Sequence, residues 1–188
     1  MWVASQSCQS GCPVAPSFDP KGSSAFAYPQ QTISIRYGSG SVTGVLGTDT
    51  VSFPSDFKSD PSLFTISNQT FGIIDHLSTS LLHPPVSGLL GLGFQALASS
   101  RARPVWEALI QQGSWKDPLM SFYFTRFINE TGLPIPSDQV CFNHRLMHPS
   151  LTLLADCASP GGQFTMGGTN ETLYTGPIDY VNIPPGQE

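Results

Sequence analysis

The sequence predicts a mainly β fold, and three observations lead to that class. Ile33, Ile35 and Tyr37 alternate with polar residues, which is the period of a half-buried strand. The 188 residues include 18 glycines and 17 prolines, a composition typical of a chain with many turns. Only one stretch has a helical period, so strands do not alternate with helices as they do around a parallel sheet.

The first elements along the chain form a predicted hairpin. After the strand at 33–37, the run "GSGS" at 38–41 predicts a flexible turn, and 42–53 returns as a second strand. A further strand is expected within 63–74. The run "VSGLLGLGF" at 86–94 is apolar and interrupted by glycines, which predicts a short buried strand that another backbone approaches closely.

The second half of the chain begins with the one predicted helix, "RPVWEALIQQG". Pro104 falls in its first turn, and Gly113 is the expected stop. A strand is predicted at 119–127, and two strands around an Asn-Glu-Thr loop are predicted at 163–184. Segment 132–160 has no regular period, and we interpret it either as a loop insertion or as a translated intron.

Composition and charge exclude two classes of partner. The net charge is −5, and no cluster of lysine and arginine is present, which argues against a nucleic-acid partner. Arg101 and Arg103 form the densest basic spot, which we interpret as solvated surface. No apolar run approaches the roughly 18 residues of a membrane span, so no membrane association is expected.

Cysteines and glycosylation sequons together indicate a secreted protein. Four cysteines form an even set, and three Asn-x-Thr sequons fall in predicted loops, as expected for an extracellular chain. The cysteines are Cys8, Cys12, Cys141 and Cys157, and the sequon asparagines are Asn68, Asn129 and Asn170. The first residues, "MWVA", do not form a signal peptide, so we expect that an N-terminal part is missing.

The cysteines also admit alternatives to disulfides. Cys8 and Cys12 would close a very small loop with a modest entropic contribution, and two free thiols are the less favoured reading. A metal site of the form C-x2-H-x3-H-x8-C could be assembled from Cys141, His144, His148 and Cys157, but this spacing matches no common zinc module. A Cys141–Cys157 disulfide is favoured, and no metal or cofactor is expected.

Five segments, taken in order, resemble the pepsin-like aspartic proteases, particularly the secreted fungal ones. They are "MWVASQSC", "IRYGSGSVTGVLGTDTVSF", "SGLLGLGF", "PVWEALIQQG" followed by "LMSFYFTR", and "GGQFTMGGTNETLYTGPIDYVNIP". The resemblance covers nearly the whole chain and implies an incomplete pepsin-like fold. Residues 1–160 would be an N-terminal lobe without its first strands and catalytic loop. Residues 161–188 would be interlobe strands and the start of the C-terminal lobe.

The family's chemistry requires two aspartates, one in an Asp-[Ser/Thr]-Gly loop of each lobe. The charged carboxylate is the general base for an attacking water, and the protonated one polarises the peptide carbonyl. This chain contains no such motif; Asp49-Thr50 is followed by Val51, which continues a strand. By the resemblance, the two catalytic aspartates lie before Met1 and beyond Glu188. We therefore expect an aspartic endopeptidase fragment that is inactive alone, from a parent active at acid pH.

The resemblance assigns substrate-binding roles to four residues and a supporting role to a fifth, Trp2. Tyr37 matches the flap tyrosine, Trp2 the indole that hydrogen-bonds to it, and Leu89 an apolar wall of the pocket. Gly38 and Ser39 match the flap tip, which binds an extended peptide in the manner of an added strand. Without the resemblance, the two aromatic residues would be read as strand residues and Leu89 as core.

The expected partners follow from these assignments. They are an extended peptide or protein substrate and the missing halves of the two-lobed fold. Two other function classes remain open: a non-catalytic binding or inhibitor protein on the same fold, and a small secreted β lectin or structural glycoprotein.

Overall fold

A computed structural model describes residues 1–13, 16–28, 31–53, 65–78, 81–82, 86–115, 117–124, 140–146 and 159–182. The contacts divide the chain into two units. The first holds the described residues of 1–53 and 65–111, and the second holds those of 112–181. Both units are built mainly from strands, which confirms the predicted fold class.

The first unit contains a five-stranded sheet in the order β2-β3-β4-β1-β5. Its strands are β1 (Trp2–Ala4), β2 (Thr32–Tyr37), β3 (Gly40–Ser52), β4 (Thr65–Leu77) and β5 (Gly88–Leu89). β1 and β4 are parallel, and the other neighbours are antiparallel. Tyr37 pairs with Gly40 at the closed end of the β2–β3 hairpin, so the predicted hairpin is confirmed.

The long β3–β4 pair forms the middle of this sheet. It contains two register shifts, between Thr43 and Gly44 and between Asp49 and Val51. At the first shift the strands approach so closely that a Cβ on Gly44 would collide with the carbonyl oxygen of Ile73. A glycine is therefore required there by the backbone contact, since any side chain would separate the strands.

The core of the first unit includes one cluster contributed by β1, β2, β3 and β4. Six buried side chains make up this cluster: Trp2, Ile33, Val42, Leu46, Ile74 and Leu77. The helix α1 (Val105–Gln111) buries its residues Val105, Trp106 and Leu109. Pro104 precedes its first residue as predicted, and Gly113 has a φ of +79°, a left-handed conformation typical of the residue after a helix.

The second unit contains a three-stranded sheet in the order β6-β8-β7. Its strands are β6 (Met120–Phe124), β7 (Val140–Leu146) and β8 (Ser159–Met166). β6 and β8 are antiparallel, whereas β7 and β8 are parallel. A 3-10 helix follows at Glu171–Leu173.

Three sequence predictions differ from the structure. Only Gly88–Leu89 of the run 86–94 forms a strand, because its partner β1 is itself three residues long. The predicted close approach is present, since a Cβ added to Gly88 would lie only 2.5 Å from the Trp2 carbonyl oxygen. The tail 163–184 contributes one strand rather than two, since the Asn170 side chain accepts from Thr172 N and starts a 3-10 turn. Segment 132–160 was expected to be irregular, yet it contains β7, held by backbone pairing that needs no side-chain period.

Candidate functional site

A cleft of about 350 Å³ opens on the first unit. Its walls come from β1, from one face of β2, from β5 and from the segment that leads to α1. The apolar lining residues are Met1, Trp2, Ile33, Ile35, Leu89, Leu90, Phe94, Leu97 and Pro104. The polar side chains of the lining are Tyr37, Thr70, Ser99, Ser100 and Arg103. A cleft of this size and composition suits apolar side chains and a few directed polar contacts.

The cleft wall contains a hydrogen bond between two aromatic side chains. Trp2 Nε1 donates to the Tyr37 hydroxyl at 2.8 Å, although β1 and β2 are not neighbours in the sheet. Trp2 is 2% exposed and lies opposite Gly72, where an added Cβ would approach the Trp2 Cβ to 3.0 Å. The indole is thus fixed by packing, and it in turn fixes the ring of Tyr37.

The tip of the β2–β3 hairpin is the turn at Gly38 and Ser39. A side chain on Gly38 would meet nothing within 4 Å, so this part of the tip is open. The base of the tip is anchored, because Ser41 N donates to Ser78 Oγ at 2.9 Å and Ser78 N donates to the Ser41 carbonyl at 3.0 Å. Because the tip is open at Gly38 and its base is anchored at Ser41, it can pair with the backbone of a bound chain while the register of β2 and β3 stays fixed.

Leu89 stands on the opposite wall from the hairpin strands. It pairs with Trp2 through β5, lines the cleft and is 38% exposed. Leu89 is therefore in a strand but not buried as expected, and its role as a wall of a substrate pocket stays a prediction. The neighbouring Leu90 is exposed as well, because β5 ends at Leu89 and has no further strand to pack on.

The carboxylate that most resembles a catalytic group lies elsewhere. Asp49 is buried on β3, 4% exposed, and accepts hydrogen bonds from Ser23 Oγ at 2.9 Å and from Thr50 N at 2.7 Å. It does not line the cleft, and neither does any other aspartate or glutamate of the described residues. The cleft as described can hold a ligand, but it offers no pair of carboxylates for acid–base chemistry.

Charge at the cleft is confined to two groups of the described lining. Arg103 contributes a guanidinium, and its carbonyl oxygen accepts from Gln69 Nε2 at 2.9 Å. Burial lowers the pKa of the Met1 α-amino group, which favours its neutral form. No group of three or more His, Cys, Asp or Glu side chains that could hold a metal occurs among the described residues.

The disulfide loop, Asn68 and Asn170 lie outside the cleft lining, although Thr70 of the first sequon belongs to it. Cys8 and Cys12 are joined by a disulfide, and Ser10 within that loop shares a hydrogen bond of 3.0 Å with His76 Nδ1. Asn68 is exposed with a φ of +57° and lies in the second bulge of β4, whereas Asn170 caps the 3-10 helix. The side chains of Cys141 and His144 are not described, and Asn129, His148 and Cys157 lie outside the described residues, so the Cys141–Cys157 disulfide stays a prediction.

Sequence reasoning missed two residues that shape the cleft. Ser78 anchors the hairpin tip, and Gln69 is a buried amide that holds the backbone at Arg103. Gln69 lies among the polar residues Ser67, Asn68 and Thr70 of β4, so the sequence does not mark it as the buried one that must be hydrogen-bonded. No feature of the sequence marks Ser78, because its role depends on the register of strands far apart in the chain.

The sequence of the chain matches known proteins over most of its length. Residues 1–135 match the family model described as eukaryotic aspartyl protease. "Major aspartyl peptidase 1" of Cryptococcus neoformans var. grubii is 35% identical over 185 residues, 97% of this chain and 32% of that protein. "Gastricsin" of Callithrix jacchus and of Homo sapiens are 30% and 29% identical over 97% of this chain and 38% of theirs.

These matches cover only part of each relative. The chain spans about a third of the length of the curated relatives that it matches. Within the described residues, no helix is both long enough and apolar enough to cross a membrane.

Proposed function

Because the chain belongs to the eukaryotic aspartyl protease family, we propose that its 188 residues form the substrate-holding part of an aspartic endopeptidase. The observation that carries this proposal is the hydrogen bond from Trp2 Nε1 to the Tyr37 hydroxyl beside the cleft. The bond fixes an aromatic ring at the base of an open hairpin tip, where an extended peptide can lie.

The proposed binding mode is the addition of a strand. Gly38 and Ser39 at the tip supply backbone groups to an extended peptide, and Tyr37 and Leu89 contact its side chains. The apolar lining supports this mode, since it would accept apolar side chains on either side of the bond to be cleaved. The hairpin therefore has the role of the family's flap, with Trp2 as its support.

Catalysis requires groups that these residues do not supply. The family reaction divides the roles of general base and acid between two nearby carboxylates, and this chain contains no Asp-[Ser/Thr]-Gly motif. Asp49 is engaged with Ser23 and Thr50 away from the cleft. We propose that the pair comes from sequence outside these residues, and that this polypeptide alone binds peptides without hydrolysing them.

The same proposal includes domain organisation, location and modification. Residues 1–160 belong to the N-terminal lobe, and 161–188 begin the connection to the second lobe. The parent protein is extracellular and carries glycans on sequon asparagines. The Cys8–Cys12 disulfide supports an oxidising compartment, because cytosolic proteins rarely keep such bonds.

A paired assay tests the proposal. Fluorescence anisotropy of a labelled apolar peptide measures binding, and mass spectrometry of an acid-denatured protein substrate measures hydrolysis. Saturable binding without cleavage is expected. Absence of binding would contradict the substrate-holding role, and cleavage blocked by a transition-state-mimicking peptide would contradict the predicted inactivity.

The second candidate is a non-catalytic binding protein on the same fold, and the missing motif is the observation that favours it. Both candidates predict peptide binding, so the encoding DNA separates them. An in-frame Asp-Thr-Gly-Ser before "MWVAS" supports the enzyme, whereas an open frame with that aspartate replaced supports the binding protein.

A further inference from the structure

Arg103 differs from every other side chain of the cleft. Among the described residues that line it, Arg103 is the only one whose side chain is charged at neutral pH. Arg101, two residues earlier, is also exposed but does not line the cleft. The interpretation of both arginines as solvated surface therefore fits Arg101 better than Arg103.

The Arg103 guanidinium has no ion-pair partner in the described part of the chain. The ion pair found there joins His76 to Asp75 at 3.8 Å, and Arg103 is exposed to solvent. A guanidinium presents a planar set of donors that matches a carboxylate in a two-point contact. This arginine is thus available to a carboxylate that enters the cleft.

The backbone from which this side chain extends is held on both sides. Buried Gln69 donates from Nε2 to the Arg103 carbonyl at 2.9 Å and to the Thr70 carbonyl at 2.8 Å. Pro104 has a fixed φ and restricts the backbone of Arg103, the residue before it, and Val105 is buried at the start of α1. Because the attachment point is fixed, binding would order only the side chain, which lowers the entropic cost of the contact.

We propose that Arg103 is a specificity-determining residue that binds an acidic side chain of a peptide held in the cleft. The inference rests on the proposed function and adds a preference to it. The apolar walls, such as Leu89 and Leu97, accept the neighbouring apolar side chains and strengthen the field of the nearby charge. The preferred ligand is therefore an extended peptide with one Asp or Glu among apolar residues.

The test compares matched peptides on the 188-residue chain. One series carries a single Glu moved along an apolar peptide, and a second series carries Gln at the same positions. Anisotropy at neutral pH gives the Kd values, and at one position Glu should bind about three- to ten-fold more tightly than Gln. Arg103→Gln should abolish this ratio, and Arg103→Lys should keep part of it.

Arg101→Gln is the matched control, because it removes the same charge two residues away. It should leave the Glu-to-Gln ratio unchanged at physiological salt. Circular dichroism serves as the folding control, and Arg103→Gln should keep the spectrum and the unfolding temperature of the unchanged chain.

The possible outcomes separate this inference from the proposed function. Binding of the apolar peptide with no Glu preference, or a preference that survives Arg103→Gln, would overturn the inference and leave the substrate-holding role standing. A preference lost equally in Arg101→Gln would also overturn it. Failure to bind any peptide would overturn both.

Discussion

The indole of Trp2 and the hydroxyl of Tyr37 are joined by a 2.8 Å hydrogen bond between strands that are not adjacent in the sheet. Trp2 is packed between Gly72 and Leu89 in the register of its two neighbouring strands. The core is therefore connected through one side-chain bond to the hairpin that borders the cleft, and changes at either residue should affect both stability and binding.

Removing the Tyr37 hydroxyl should have a measurable cost. Tyr37→Phe leaves the buried Trp2 N–H without its acceptor, and we expect the free energy of unfolding to fall by about 1–2 kcal/mol. Chemical denaturation measures this change. Tyr28→Phe is the control, because it removes a hydroxyl from an exposed ring whose contact with Phe26 remains. Equal stability of Tyr37→Phe and the unchanged chain would show that the bond contributes nothing.

The first bulge of the β3–β4 pair should not tolerate a side chain. Gly44→Ala drives a Cβ into the Ile73 carbonyl, so we expect a loss of at least about 2 kcal/mol in unfolding free energy or failure to fold. Gly91→Ala is the matched control, since a Cβ there meets nothing within 4 Å. Thermal unfolding followed by circular dichroism distinguishes them. If both variants unfold at the same temperature, the strands are not in the close contact described.

Asp49 should matter for stability and not for ligand binding. Asp49→Ala leaves Ser23 Oγ and Thr50 N without their acceptor, and we expect a loss of about 1–3 kcal/mol. Where Asp49→Ala remains folded, its Kd for the peptide should be unchanged, because Asp49 is not part of the cleft. A large change in Kd for the folded variant would place this carboxylate at the binding site.

Asn68 should carry a glycan when the chain is expressed through a secretory pathway. The bulge gives Asn68 a φ of +57° and exposes it, so a sugar there displaces no described contact. Asn68→Gln should lower the mass by one glycan on intact-protein mass spectrometry. Asn170→Gln provides the comparison with a sequon whose amide nitrogen is engaged. Asn170 Nδ2, the atom to which a glycan would be attached, donates a hydrogen bond to Gln163 Oε1. An unchanged mass for Asn68→Gln would contradict modification at this site.

Local patterns predicted the elements whose contacts are close in sequence. The alternation at 33–37 and the Gly-Ser turn locate the hairpin, and Pro104 and Gly113 locate the helix, because turn and helix signals act over a few residues. Leu89 lies in a strand as predicted but is exposed rather than buried, since β5 is only two residues long and pairs with the three-residue β1. Strand β7 was missed because its residues show no regular apolar alternation, and its parallel pairing with β8 is made by backbone groups.

The residues of the cleft were predicted only in part, because contacts between residues far apart in the chain leave no local pattern in the sequence. Trp2 and Tyr37 were paired by resemblance, and their hydrogen bond is present in the structure. Gln69 and Ser78 were not identified, and Arg103 was interpreted as solvated surface, because their contribution comes from contacts 34 to 37 residues apart in the chain. Sequence patterns report the face on which a residue lies, whereas these contacts depend on how the strands are arranged in space.

The central claim is that a peptide binds beside the bonded pair of Trp2 and Tyr37, and the indole N–H resonance of Trp2 tests it most directly. The signal can be assigned by Trp2→Phe and followed by NMR while an apolar peptide is added. Trp115, buried in the second unit, is the internal reference. The account predicts a saturable shift of the Trp2 resonance with Trp115 unchanged. Peptide binding that shifts Trp115 and leaves Trp2 unchanged would contradict it.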